Sequence, residues 1–210
     1  HPDDVSKKNN RIKYHFLPTP VDRNIEKLSI YNSNDFTYDV FFAMSHGVNR
    51  GIIKSGKKDE RESFIKELID LNKDIKFDIY GYKDRNPVWS ESFYSAISRS
   101  SMAVNLNRGK PKKYSSSNRI GSLIGNGLLT FIDKKTKLDD FFNSREAVFY
   151  KDINDLIEKI LKYKKDNKQR KLIAKRGKLK YMKHFNSNLV SQFMIDQIFD
   201  FKPKYKYIWK

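Results

Sequence analysis

Short apolar segments alternate with amphipathic segments along most of this chain, and this alternation limits the possible folds more than any other feature. Strands are predicted at 38–43, 76–81, 102–107, 128–133 and 147–150. Helices are predicted at 58–72, 89–100, after residue 118, from Ile153 onward, and at about 168–184 and 187–201. Strands that alternate with helices over short loops are typical of a parallel sheet covered on both faces. We therefore predict an α/β fold, a Rossmann-like parallel sheet with helices on both faces and additional C-terminal helices.

The chain has 210 residues, which fits one compact domain with a real core. Two prolines in FLPTPVD (16–22) forbid a helix and indicate an extended connector. We expect a connector at 1–37, a Rossmann-like domain at 38–201 and a basic aromatic tail at 202–210. Because the sequence begins with His1 and not with Met, we expect it to be a processed chain or a piece of a longer one.

The formal net charge of +18 predicts contact with anionic partners such as phosphates, lipid headgroups or nucleic acid. Lysine and asparagine are spread along nearly the whole chain, so a general habit of composition explains the charge about equally well. The absence of cysteine excludes disulfides and thiolate metal sites. No apolar run reaches the length of a membrane span or of a signal-peptide core. We expect a cytoplasmic protein, with the inner membrane face as a second possible location.

The loop 107–119 leaves the end of a predicted strand and enters a predicted helix, where free backbone N–H groups favour phosphate. Hydroxyl, amide and basic side chains converge there: Asn107, Arg108, Ser115, Ser116, Ser117, Asn118 and Arg119. The guanidinium of Arg119 can grip a phosphate through two hydrogen bonds. The alternative is that a serine caps the helix and Arg119 points into water. Glycines at 121 and 125 would let a backbone or a ligand approach the helix closely, and Gly127 is predicted as its C-cap.

Other residues at strand ends are candidates for ligand contact. The basic loop 44–57 contains His46, Gly47 and Arg50, although it is neither a P-loop nor a GxGxxG fingerprint. Tyr80 and Trp89 could stack on a base, with core packing as the alternative. Gly81, directly after Tyr80, is a further candidate for ligand contact. Asn105 and Asn107 could face the cleft or tie down the loop backbone.

Nothing in the sequence predicts a metal site. The histidines have no ligand spacing such as HExxH, and an amphipathic turn explains the pair Asp139 and Asp140 better than a metal does. The tail FKPKYKYIWK interleaves lysines with aromatic residues, which suits a lipid headgroup region or single-stranded nucleic acid. Docking on another domain, or disorder, is the preferred explanation of the tail.

Six segments carry a resemblance to a known family. They are FLPTPVD; YDVFFAMS with RESFIKEL; FDIYG; AVNLN with SSSNRIGSLIGNGLLTFID; EAVFYKDINDLIEKI; and RKLIAKRGKLKYMKHFN. Together they resemble the C-terminal, donor-binding half of a GT-B glycosyltransferase of the CgeB/YkvP-like group. In that family a serine is followed by R-x-F-E-x-x-A-x-G, and Arg119 and Gly127 fall on the arginine and the last glycine. The family's glutamate falls on Ser122, which lacks a carboxylate's negative charge.

The resemblance implies one half of a GT-B fold that binds a nucleotide-diphosphate sugar, with no metal or other cofactor. It implies a glycan, lipid or protein acceptor, and an N-terminal GT-B domain supplied by a longer chain or a partner chain. It also places Glu146 at an acidic position that touches the sugar or the nucleoside, with packing at the edge of a loop as the alternative.

Three functions follow in order of preference. The first is a glycosyltransferase donor-binding domain. The second is a module that binds a nucleotide or a phosphoglycan without turnover, which the serine at 122 favours. The third is a nucleic-acid binder driven by charge, which lacks RNP-like, KH or zinc patterns.

Overall fold

A five-stranded parallel sheet forms the centre of the protein. The computed structural model describes residues 13–45 and 60–210. The strand order is β2-β1-β3-β4-β5, and every neighbouring pair is parallel. The strands are β1 (Tyr38–Ala43), β2 (Phe77–Tyr80), β3 (Ser100–Asn105), β4 (Leu129–Asp133) and β5 (Val148–Tyr150). The predicted α/β, Rossmann-like fold is confirmed.

Helices cover both faces of the sheet because its strands are apolar on both sides. The helices are α1 (Glu60–Leu71), α2 (Ser90–Ser98), α3 (Arg119–Gly125), α4 (Ile153–Lys165), α5 (Asn167–His184) and α6 (Ser187–Ile198). Val40 and Phe42 pack in one core with residues of α1 and α4. Phe41 and Ala43 pack on the opposite face with residues of α2 and α3. This alternation is the two-residue period of a strand buried on both sides.

β3 lies two residues closer to the N-terminus than the sequence predicts. β3 begins at Ser100 and ends at Asn105, whereas the apolar pattern predicts 102–107. The pattern misses Ser100 and Ser101 because their side chains are polar, yet both are buried, and Ser101 Oγ donates to the Asp39 carbonyl at 3.0 Å. Asn105 is therefore the last residue of the strand, and Asn107 lies in the loop that follows.

The connector is extended, as its prolines predict, and it packs against the domain. Val21 is buried and forms a parallel bridge to Asn186, where α5 gives way to α6. Its N–H donates to the Phe185 carbonyl at 3.0 Å, and its carbonyl accepts from Ser187 N–H at 2.8 Å. These bonds fix the connector to the junction of α5 and α6, and the Val21 side chain lies beside the glycines of α3.

The glycines of α3 make room for this connector and not for a ligand. A Cβ on Gly121 would lie 3.1 Å from the Pro20 carbonyl oxygen, and one on Gly125 would lie 2.8 Å from Glu26 Cγ. The C-cap of α3 is Asn126, one residue before the predicted Gly127. Gly127 follows it with a left-handed φ of +81° and an N–H that donates to the Ile124 carbonyl, which ends the helix.

The basic aromatic tail folds back onto its own domain. Tyr207 and Trp209 are buried, and the Tyr207 hydroxyl donates to the buried carboxylate of Asp196 at 2.7 Å. Trp209 lies 5.6 Å from the ring of Phe185, centroid to centroid. These contacts account for the two aromatic residues without a second domain.

The topology creates a crevice at one edge of the sheet. From β1 the chain crosses to β2 on one side and then returns to β3 on the other side of β1. The connections that leave the carboxyl ends of β1 and β3 therefore diverge. In open α/β sheets, ligands bind at such a point of divergence.

Candidate functional site

A cavity of about 250 Å³ opens at this crevice. Ala43, Met44 and Ser45 at the end of β1 form its floor, and Asn118, Arg119 and Ser122 at the start of α3 form one side. The remaining wall comes from the segment between β2 and α2 and from α2 itself. Its members are Val88, Trp89, Ser90, Phe93 and Tyr94.

The wall from α2 is mainly aromatic. The side chain of Trp89 is 65% exposed, so the indole stands at the rim with its surface open to a partner. Tyr94 is half-buried and lines the cavity together with Ser122; burial raises the pKa of its phenol. A flat, apolar wall facing polar groups suits a ligand with an aromatic ring and a charged end.

Arg119 turns its guanidinium inward, over the carboxyl end of the sheet. Its Nη2 donates to the Leu106 carbonyl at 2.7 Å, and its Cζ lies 5.2 Å from the centroid of the Phe42 ring. The alternative in which Arg119 points into water does not hold. A positive charge is thereby fixed at the edge of the sheet, where an anion at the switch point would meet it.

Asparagines at and after the end of β3 hold the serine loop (residues 115–117). Asn107 Nδ2 donates to the Ser115 carbonyl at 2.9 Å, and Asn105 Nδ2 donates to Ser116 Oγ at 3.2 Å. Ser117 Oγ donates to Asn105 Oδ1 at 3.2 Å. Of the two interpretations of these asparagines, tying down the loop is the one that the structure supports.

The serine hydroxyls serve the loop and the start of α3. Ser115 Oγ bonds to the backbone of Lys112, and Ser117 Oγ accepts from Arg119 N–H at 3.3 Å. Asn118 has helical backbone angles and caps the helix with no side-chain hydrogen bond. Serine capping and loop support thus explain the cluster, while Asn118, Arg119 and Ser122 are the members of the predicted set that line the cavity.

Other predicted residues lie apart from this cavity. Tyr80 packs against the core residue Phe41, with the two ring centroids 6.1 Å apart, so core packing explains it. The Arg85 guanidinium also lies 4.0 Å from the centroid of the Tyr80 ring, and the Tyr80 hydroxyl accepts from Arg99. Gly81 follows β2 with a φ of +71° and donates to the Arg85 carbonyl. Asn107 borders a smaller cavity of about 120 Å³, and Arg108 is exposed. His46, Gly47 and Arg50 lie outside the described residues.

Glu146 lies at the opposite edge of the sheet from the crevice. It lies two positions before Val148, the first residue of β5, and so stands at the amino end of that strand. Its Oε2 accepts from Asn143 N–H at 3.1 Å, and Oε1 lies 3.9 Å from Lys180 Nζ. These contacts fit the alternative of packing at the edge of a loop, since a ligand at the carboxyl ends of the strands would lie on the other side of the sheet.

Several lining residues carried little sequence signal. Met44 and Ser45 lie at the start of the basic loop 44–57, which the sequence already marks as a candidate for ligand contact. Phe93 and Tyr94, in contrast, resemble ordinary helix residues until α2 is placed beside α3. Across residues 13–45 and 60–210, no group of three or more His, Asp or Glu side chains could hold a metal ion. Within the same residues, no helix is long and apolar enough to cross a bilayer.

Comparison with known proteins places this architecture in a family. The model of the glycosyl transferase-like family matches residues 59–196, which is more than half of the chain. No curated protein sequence is significantly similar to it.

Solved structures share the fold at low sequence identity. A point mutant of TarM from S. aureus, in complex with Fondaparinux, alpha-GlcNAc-glycerol and UDP, matches with a TM-score of 0.63 and 12% identity over 93% of this chain and 41% of that one. Alr3699/HepE from Anabaena, in complex with UDP, matches with a TM-score of 0.50 and 10% identity over 95% of this chain and 53% of that one. The chain thus spans about half the length of these proteins. It belongs to the glycosyl transferase-like family and has the Rossmann-like fold of one half of a GT-B glycosyltransferase.

Proposed function

We propose that this chain is the donor-binding half of a glycosyltransferase, and that the cavity at the switch point binds a nucleotide-diphosphate sugar. The observation that carries the proposal is the position of Arg119, whose guanidinium lies at the carboxyl edge of the sheet beside the cavity. The shape of the cavity supports the same proposal, because an aromatic wall lies opposite its polar side.

Each side of the cavity suits one part of the donor. The indole of Trp89 offers a face on which a base can stack. Arg119 offers N–H donors to the diphosphate, and Asn118 and Ser122 offer polar groups nearby. UDP is present in the two solved structures with a similar fold, which supports uracil as the first base to test.

The chemistry that this arrangement supports is stabilisation of a leaving group. When the bond between the sugar and the diphosphate breaks, negative charge builds on the diphosphate oxygens. A fixed guanidinium lowers the energy of that state more than that of the intact donor, which is the requirement for catalysis. The donor needs no divalent ion in this scheme, and the acceptor is a glycan, lipid or protein.

The remaining parts of the enzyme are also proposals. We assign donor binding to residues 38–201, and we expect an N-terminal GT-B domain on a longer chain or a partner chain to supply the acceptor side. Assignment to the CgeB-like group rests on the short motifs alone.

A second candidate is a module that binds nucleotide without turnover. Ser122 favours it, because this cavity-lining serine stands where the family has a glutamate and lacks a carboxylate's negative charge. Incubation with a bound donor separates the two functions, since an enzyme releases free sugar or transfers it and a binding module returns the donor intact.

Binding is tested by calorimetric titration with UDP, ADP, GDP and CDP. We expect one nucleoside diphosphate to bind, and Arg119→Gln to weaken it by about 10- to 150-fold, which corresponds to the ~1.5–3 kcal/mol of a hydrogen bond to a charged group. The matched control is Arg145→Gln, which removes an exposed arginine away from the cavity. Circular dichroism checks that both variants fold.

The proposal fails if no nucleoside diphosphate binds while a random oligonucleotide does. It fails equally if Arg119→Gln and Arg145→Gln bind the nucleotide with the affinity of the unmodified protein.

A further inference from the structure

An apolar ridge lies on the outer side of α6 and the residues after it. Ile195, Ile198 and Phe199 occupy neighbouring positions on one helical face, and the side chains of Ile198 and Phe199 are 70% and 62% exposed. Phe201 stacks on Phe199 with a centroid distance of 5.5 Å and is also exposed. We call these four residues the C-terminal ridge. Four adjacent large apolar side chains open to solvent are typical of a binding surface.

Lysines flank the ridge on its C-terminal side. Lys202, Lys204 and Lys206 are all exposed. The neighbouring acidic residue, Asp200, is exposed as well, and its Oδ1 lies 3.9 Å from Nζ of Lys13. The ridge therefore carries a net positive border.

The segment that presents these lysines is fastened at its far end. Tyr207 and Trp209 are buried. The Tyr207 hydroxyl donates to the buried carboxylate of Asp196, which lies on α6 directly after the ridge residue Ile195. Phe201 N–H donates to the Asp196 carbonyl at 2.9 Å. Residues 200–206 thus form a loop held at both ends, which keeps the lysines beside the ridge.

We propose that the C-terminal ridge is a docking surface for an anionic lipid bilayer. Charge complementarity selects this occupant, because the lysine border matches negative headgroups while Ile198, Phe199 and Phe201 have the size and apolarity to enter the interface below them. Tyr205, which is exposed between two of the lysines, suits the headgroup level. The proposal concerns a surface separate from the nucleotide cavity, so it stands or falls independently of donor binding.

Vesicle flotation tests the surface directly. The protein is mixed with vesicles of phosphatidylcholine alone or of phosphatidylcholine with phosphatidylglycerol, and the floating fraction is measured at low and high salt. We expect flotation with the anionic vesicles and its loss as salt rises, because the lysines are solvent-exposed. We expect the combined variant Lys202→Gln, Lys204→Gln, Lys206→Gln to bind at least about tenfold more weakly.

A second variant isolates the apolar part. Phe199→Ser with Phe201→Ser is expected to weaken vesicle binding by about tenfold or more as well, since each buried CH₂ favours the interface. The controls are Leu179→Ser, an exposed leucine on α5, and the triple variant Lys165→Gln, Lys168→Gln, Lys175→Gln. Both controls should float like the unmodified protein.

The proposal is overturned if the protein stays with the soluble fraction on anionic vesicles. Equal loss of binding in the ridge variants and their controls would show a general charge effect and would overturn it too. Binding to a random oligonucleotide without binding to vesicles would assign the lysines to nucleic acid instead.

Discussion

Gly177 lets α5 approach the loop before β5, and Gly177→Ala tests this close contact. An added Cβ would lie 2.3 Å from the carbonyl oxygen of Glu146, a backbone atom that cannot rotate away. Alanine gains about 1 kcal/mol of helix propensity over glycine. Forcing a methyl group into a filled space costs about 1–3 kcal/mol or more. Because the contact is with backbone, we place the steric cost in the upper part of that range, at about 2–3 kcal/mol. We therefore expect a net loss of about 1–2 kcal/mol in the free energy of unfolding.

Thermal unfolding followed by circular dichroism measures this loss. For a chain of this size it corresponds to a melting temperature lower by about 2–8 °C. The control is Arg176→Ala, an exposed neighbour on the same helix, which should stay within about 0.5 kcal/mol of the unmodified protein. A Gly177→Ala variant as stable as the unmodified protein, or more stable, would refute the packing of α5 described above.

Three further substitutions probe the site and the tail. Asn105→Ala removes the bonds that hold the serine loop, so we expect nucleotide affinity to fall about fivefold, for the ~1 kcal/mol of one hydrogen bond, in calorimetric titration. Trp89→Ala should leave the melting temperature unchanged but weaken nucleotide binding by about tenfold or more through lost stacking. Burial, followed by the bond to Asp196, raises the pKa of Tyr207 to about 12, above the ordinary value of about 10 for a tyrosine. A raised folded-state pKa gives stability that is complete below pH 10 and lost as pH rises toward 12. Tyr207→Phe should therefore lose less stability than the unmodified protein between pH 9 and pH 12 in denaturant titrations.

Each of these expectations has an outcome that contradicts it. Unchanged nucleotide affinity in Asn105→Ala would mean that the serine loop does not shape the cavity. Unchanged affinity in Trp89→Ala would remove the indole from the site. A Tyr207→Phe variant that weakens with alkali as steeply as the unmodified protein would exclude ionisation of Tyr207 as a cause.

The sequence predicted the sheet because its strands are buried on both faces. A run such as 38–43 then reads as nearly continuous apolar residues, and amphipathic helices alternate with these runs. The same reasoning nominated the loops at the carboxyl ends of the strands, two of which supply Met44, Ser45 and Arg119 to the cavity. The prediction of β3 was displaced because Ser100 and Ser101 are polar residues that a strand nevertheless buries.

The partners of individual side chains required the fold. In the sequence, Gly121 and Gly125 could equally leave space for a ligand or for a neighbouring backbone. Only the position of the connector in the folded protein shows that the connector fills this space. Phe93 and Tyr94 face the cavity because α2 lies beside α3 across the sheet face, a relation between segments far apart in sequence. The burial of Tyr207 and Trp209 depends in the same way on α6 folding back beside α5.

A crystal structure of the protein with bound UDP tests the central claim most directly. We predict that the diphosphate lies in the cavity between Ser45 and Arg119, within hydrogen-bonding distance of the guanidinium, and that the base lies against Trp89. A diphosphate bound elsewhere on the protein, with the guanidinium of Arg119 making no contact to it, would contradict the assignment of this cavity as the donor site.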